Sequence, residues 1–249
     1  MALKIRLHES SVTRIMSHLK NYDCGTLTAF RGTCANATEN TLPAVKEYEG
    51  ESVPLAVKKQ WNRDLKAALL KLGYGVTAIK GRYREDGWDT ASDEESFFVV
   101  NLTNDPDFIK NLARLGEAYN QDSILIKEKG SDNAYLLGTN TSEGDFNPAL
   151  GQTQDIGKLH VNIPLDYLGA SSVIGNKAFI FKGDDEKAEN KNEANGNPFA
   201  LETFFAYGNY GKCGIAQRAK PVLEALGLPT TRPLDTYKQA MEASLGFKK

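Results

Sequence analysis

Apolar residues recur along this chain with two spacings. A period near 3.6 marks a helical stripe, and strict alternation marks a half-buried strand. Residues 10–21 place Val12, Ile15, Met16 and Leu19 on one helical face, with Ser10 or Ser11 as cap. The clearest helix spans 57–72, where Val57, Trp61, Leu65, Ala68, Leu69 and Leu72 form the stripe and Gly73 is the stop. A third, 105–119, opens on Asp105-Pro106 and aligns Phe108, Leu112, Leu115 and Tyr119. Strands are expected at 25–31, 75–84, 95–102, 122–128 and 133–138, the last two joined by the turn KGSDN.

The order is β-α-β-β-α-β-β with a helix in front. It predicts an α+β fold: a mixed, mostly antiparallel sheet with helices on one face, in split-βαβ or ferredoxin-like order. It does not fit the strict alternation of a doubly wound fold. Residues 1–140 are read as this core. Residues 141–249 are an extension that forms a second unit or completes the first sheet. Strands are expected at 158–163 and 177–183. An acidic mobile loop is expected at 184–197, then an aromatic-rich stretch at 198–208. Two C-terminal helices, 214–226 and 233–245, are separated by Gly227, Pro229 and Pro233. Residues 32–56, rich in Thr, Asn, Glu and Gly, are read as an ordered loop or insertion.

Composition narrows the class. Thirty Lys and Arg against 32 Asp and Glu give a formal net charge of −2, which disfavours a general nucleic-acid binder. No apolar run approaches the ~20 residues of a membrane helix, and no secretion signal is visible. The expected location is therefore the cytoplasm, or a host cytoplasm or virion for a phage-encoded chain. Three cysteines, Cys24, Cys34 and Cys213, are read as free thiols without a zinc pattern. P-loop, HExxH and GxSxG motifs are absent, so no cofactor or metal site is assigned.

Polar residues gather at the ends of the expected strands. Arg31 ends the first, Asn62 lies on the long helix, and Arg82, Tyr83 and Glu85 end the second strand. Glu95 and Ser96 open the third strand, and Gln121, Asp122 and Ser123 open the fourth. Scaffolds commonly place binding groups at such ends. Arg31, Arg82 and Arg84 suit a phosphate clamp, or surface ion pairs. Glu85, Glu94 and Glu95 suit a cation or acid–base work, or form an exposed acidic turn. Gln121, Asp122 and Ser123 suit ligand contacts, or local capping. An arginine–serine–glutamate order through Arg31 and Ser171-Ser172 has no strand-borne glutamate to complete it.

Several short motifs occur in one order: Asn62, Gly73-Tyr74, Gly81-Arg82-Tyr83-Arg84-Glu85, Glu95-Ser96-Phe97 and Gln121-Asp122-Ser123. Over about 25–140 the chain resembles uncharacterised bacterial and phage proteins of the domain-of-unknown-function 3293 family. The resemblance implies a small cytosolic α+β domain and carries no activity. Without a catalytic motif, the first reading is a phage-type accessory protein that binds a host or virion protein, as a virion component or counter-defence factor. The alternative is a binder or enzyme for a nucleotide-like ligand. It would use Arg31 and Arg82 for phosphate, and Glu85 and Glu95 for a metal or acid–base work.

Overall fold

The computed structural model describes residues 11–83, 92–142, 147–163, 171–174, 177–182 and 212–230. The elements run α1 (Ser11–Asn21), β1 (Cys24–Leu27), α2 (Pro43–Lys46), α3 (Leu55–Lys71), β2 (Gly75–Tyr83) and β3 (Ser92–Val100). They continue α4 (Phe108–Ala118), β4 (Ser123–Lys127), β5 (Asn133–Gly138), β6 (Thr153–Ile163), β7 (Ser171–Ile174), β8 (Lys177–Lys182) and α5 (Lys212–Ala225). The expected segments 184–197, 198–208 and 233–245 lie outside the described residues.

The α+β class and the antiparallel sheet are as the element order predicts. Four strands stand in the order β4-β1-β3-β2, every neighbouring pair antiparallel, which is the split-βαβ arrangement. The strands beyond residue 140 extend it. β5 adds to β4, β7 adds to β2, and β6 and β8 join them, so the sheet closes into an eight-stranded barrel. Closure leaves no unpaired edge strand.

Alternation along β3 assigns the two faces. Phe97 and Val99 enter the main core with Leu65 and Leu69 of α3, Leu72 just after it, Leu112 and Leu115 of α4, and Val222 and Leu223 of α5. Phe98 and Val100 face the other way, with Cys24, Ile79, and Ile15 and Leu19 of α1. Each fully buried leucine contributes roughly 1.5–3 kcal/mol, so the stripes of α3 and α4 are both substantial sources of stability. The Lys127 ammonium, on β4, donates to the carbonyl of Leu19 at 3.1 Å and so caps the C-terminal turn of α1.

Three helices end in the same way. After α3, α4 and α5 a residue takes a left-handed conformation, at Gly73, Asn120 and Gly227. The next amide reaches back across the turn, from Tyr74 to Leu69, Gln121 to Gly116, and Leu228 to Leu223. This satisfies the last carbonyls of each helix.

Some boundaries differ from the expected ones, each for a visible reason. β1 stops at Leu27, not 31, because Thr28 Oγ accepts from the Phe30 amide at 2.9 Å and turns the chain out of the ladder. α4 begins at Phe108 because Asp105 is held in a turn by Asn101, whose Oδ1 accepts the Asp105 amide at 2.7 Å. β3 starts at Ser92, since its hairpin ladder with β2 continues to Tyr83. β7 has only four residues, too few for a visible alternation. The 32–56 excursion is ordered as expected: Cys34, Val45 and Val53 are buried, and Leu42 donates to the Ala118 carbonyl at the end of α4.

Gly138 sets the tightest approach in the barrel wall. A Cβ there would stand 2.2 Å from the carbonyl oxygens of Pro148 and Ala149. Gly138→Ala is expected to cost about 1–3 kcal/mol in urea unfolding, the range of an overpacked site. Gly32→Ala, where a Cβ meets nothing within 4 Å, should stay within about 0.5 kcal/mol. Equal stabilities for the two variants would contradict this packing.

Candidate functional site

The strand ends that the sequence singles out meet on one rim of the barrel. Antiparallel pairing brings together the end of β1, the start of β3, the end of β2 and the start of β4. Two knots of hydrogen bonds hold this rim.

The first centres on Asn62, a buried amide on the apolar side of α3. Its Oδ1 accepts the Ala29 amide at 2.7 Å and its Nδ2 donates to the Glu95 carbonyl at 2.8 Å. Thr28 Oγ donates to that same carbonyl at 2.6 Å. The backbone of Glu95 is therefore fixed by two side-chain donors, while the residue itself is exposed. A rigid backbone under an exposed carboxylate suits a ligand acceptor. Lys80, also exposed, stands directly opposite it on β2.

The second knot joins Arg31 to Asp122. Arg31 Nη1 and Nη2 donate to Asp122 Oδ2 and Oδ1 at 2.5 and 2.7 Å, a bidentate pair. Asn140 Nδ2 adds a third bond to Oδ1 at 2.7 Å. The two side chains are 20% and 25% exposed, so water screens the pair only in part. Its importance is positional. The turn that ends α4 delivers Asp122 to Arg31: Asn120 adopts φ 54° and its Oδ1 accepts the Ala35 amide at 3.1 Å. An asparagine stands where α3 and α5 use glycine because its side chain also ties down the 31–36 loop. Arg31 Nε and Asn120 Nδ2 are buried and find no acceptor in the described protein.

The remaining candidates divide. Gln121 is buried, and its carbonyl accepts Thr139 Oγ at 2.6 Å. Ser123 begins β4 opposite Gly138, and Ser96 lies opposite Ile79 on β3. Arg82 and Tyr83 pair with Asp93 and Ser92 along the backbone at the β2 end of the rim. Glu85 lies outside the described residues. Thr28, Asn120 and Asn140 were not among the expected site residues. The signals for them were a threonine closing a strand, an asparagine just past a helix end and an asparagine just past β5.

The phosphate clamp expected of Arg31 is not available as the chain stands, because both Nη atoms are already on Asp122. Among the described residues, no three His, Cys, Asp or Glu side chains are grouped to hold a metal ion. Beside the rim lies a depression of about 330 Å³ lined by Thr38, Asn40, Ala113, Glu117, Leu137 and Leu150. Of its two acidic residues, Glu39 and Glu117, the second is engaged: Glu117 Oε1 accepts from Thr38 Oγ at 2.6 Å and Asn40 Nδ2 at 3.0 Å. That depression anchors the 38–41 loop, and the rim is the stronger candidate.

The S-Adenosylmethionine lyase family model matches residues 50–181, which is 132 of the 249 residues. Among curated proteins nothing matches. The match corrects the resemblance to the domain-of-unknown-function 3293 family: every motif quoted for it, from Asn62 to Ser123, falls inside the lyase-family stretch. It also overturns the reading as a non-catalytic phage-type accessory, virion or host-takeover protein, because the matching family is one of enzymes. The alternative, an enzyme for a nucleotide-like ligand, fits better. Arg31 is the one expected site residue outside the match.

Asn62→Ala removes both arms of the first knot: the Ala29 amide loses its acceptor, while the Glu95 carbonyl keeps only Thr28 Oγ. One unsatisfied buried group costs about 1–3 kcal/mol, so a loss of about 1–3 kcal/mol is expected in urea unfolding. A loss below about 1 kcal/mol would show that Asn62 does not hold the rim.

Proposed function

The chain belongs to the S-adenosylmethionine lyase family, and on that premise we propose that it breaks a carbon–sulfur bond of S-adenosylmethionine at the barrel rim. The observation that carries the reading is Glu95, an exposed carboxylate on a backbone clamped by Thr28 and Asn62. It suits a cationic substrate that also carries a vicinal ribose diol.

The chemistry follows from the substrate. A sulfonium is a good leaving group, and a lyase uses neither water nor a redox partner. The substrate's own carboxylate is the nucleophile within reach. One carboxylate oxygen attacks the methionyl Cγ, a carbon–oxygen bond forms and the Cγ–S bond breaks. The bonding pair goes to sulfur. The products are homoserine lactone and 5′-methylthioadenosine. No proton moves, so this route needs no catalytic acid or base.

Opposite charges are neutralised as the bond shifts, so an apolar, water-poor environment accelerates the step. The protein's contribution is then to bind adenosine and fold the methionyl chain into line. Positioning of this kind is worth up to about 7–11 kcal/mol in model reactions. In this reading Glu95 accepts the ribose hydroxyls. Arg31 and Asp122 frame the rim, with Asn62, Ser96, Gln121 and Ser123 setting its shape. Arg82 and Tyr83, at the end of β2, belong to the proposed contact set as well. The substrate has no phosphate, so the arginines need no phosphate role.

The test is incubation of the purified full chain with S-adenosylmethionine in H₂¹⁸O, followed by mass spectrometry. The expected products are 5′-methylthioadenosine and a lactone with no label in its ring oxygen. Homoserine released by later ring opening should carry label only in its carboxyl group. Label in the homoserine hydroxyl, or no substrate consumption, would contradict the proposal. Glu95→Gln should lower kcat/KM by about 10–100-fold, the worth of a charged hydrogen bond, with the melting temperature almost unchanged.

A further inference from the structure

Arg31 is the best-placed anion binder on the rim, and it is already used. Its two terminal nitrogens sit on the two oxygens of Asp122, and Asn140 holds one of those oxygens in place. A bidentate fork on a carboxylate has the geometry a phosphate would demand of the same arginine. A phosphate arriving at this rim would have to expel Asp122 and then remain beside its negative charge. A sulfonium meets no such obstacle, since it needs no place in the Arg31 fork and the exposed Glu95 carboxylate attracts a cation. The pair also links a residue outside the family match, Arg31, to one inside it, Asp122.

We propose that Asp122 is a selectivity residue: by filling the Arg31 fork it makes the rim refuse adenine nucleotides while admitting S-adenosylmethionine, which shares their adenosine but carries a cation in place of phosphate. This rests on the reading of the rim as the S-adenosylmethionine site. It goes beyond that reading in naming what is rejected and how. The discrimination matters physically because adenosine-directed contacts alone cannot separate the two ligand classes. A repulsive element against the competitor separates them without weakening the contacts to the substrate.

The test is calorimetric binding of ATP and AMP to the full chain at about 0.1 M salt, where exposed charges are screened beyond roughly 10 Å. The wild type should bind both weakly. Asp122→Asn keeps the shape and one oxygen acceptor but removes the charge and the acceptor for one arm of the Arg31 fork, and should bind ATP at least tenfold more tightly. Adding Arg31→Gln to that variant should cancel the gain. No gain in a folded Asp122→Asn protein overturns the proposal. So does a gain that survives Arg31→Gln, or a wild type that binds ATP as tightly as the variant. If Asp122→Asn does not fold, Asp122→Ser takes its place. The wild type also decides by itself, through competition between ATP and a non-cleavable S-adenosylmethionine analogue: displacement at micromolar ATP overturns the proposal, and none at millimolar ATP supports it. None of these readings requires turnover. A protein that consumes no S-adenosylmethionine would refute the lyase proposal and leave the ATP-binding comparison intact.

Discussion

One buried amide holds the rim together. Asn62 projects from α3 and bonds at once to the chain leaving β1 and to the opening of β3. Those segments lie 33 residues to either side of it in sequence. A leucine at this position would pack, but it would leave the Ala29 amide unsatisfied and the Glu95 carbonyl held by Thr28 alone, at the point where the exposed Glu95 needs a rigid base. The energetic logic is asymmetric: the bonds add about 1 kcal/mol each when made and cost more when left open. Position 62 is therefore polar on a helix face that is otherwise Trp61, Leu65, Leu69 and Leu72.

The second constraint is the turn that ends α4. A helix must dispose of its last carbonyls, and here a left-handed Asn120 does so while its side chain ties down the loop after β1. The next residues then fall in a fixed place: Gln121 closes the turn and Asp122 meets Arg31. Helix termination, loop anchoring and site assembly are thus one local event. The same carbonyl-capping geometry ends α3 and α5 with glycine, where no side-chain contact is required.

The apolar stripes of α3 and α4 were legible, and so was the β-α-β-β-α-β order that sets strands β4-β1-β3-β2 side by side. Local spacing carries that information. Barrel closure was not legible, because it depends on the four-residue β7 pairing with residues about 90 positions earlier. The end of β1 was overrun because Thr28 is bonded to a carbonyl 67 residues away. The strand ends that carry the singled-out polar residues lie on one rim. The roles of those residues were not legible, since Arg31 and Asp122 are 91 residues apart and nothing local shows that each satisfies the other. The family assignment went astray for a related reason. Short motifs such as Glu95-Ser96-Phe97 record strand segments, and only the match over 50–181 ties them to a family.

Sheet, knot and ion pair combine into a rim with a fixed, exposed carboxylate and an arginine that is already neutralised. Such a surface fits the cationic substrate proposed for it. The most direct measurement is a ¹H–¹⁵N NMR titration of the full chain with an S-adenosylmethionine analogue whose sulfonium is replaced by an uncleavable amine-bearing carbon. Shifts concentrated at Ala29–Arg31, Glu95–Ser96 and Gln121–Ser123 are the predicted result. Shifts confined to the Glu117 depression, or to the opposite end around Tyr74, Asp105 and Asn111, would contradict the placement of the site.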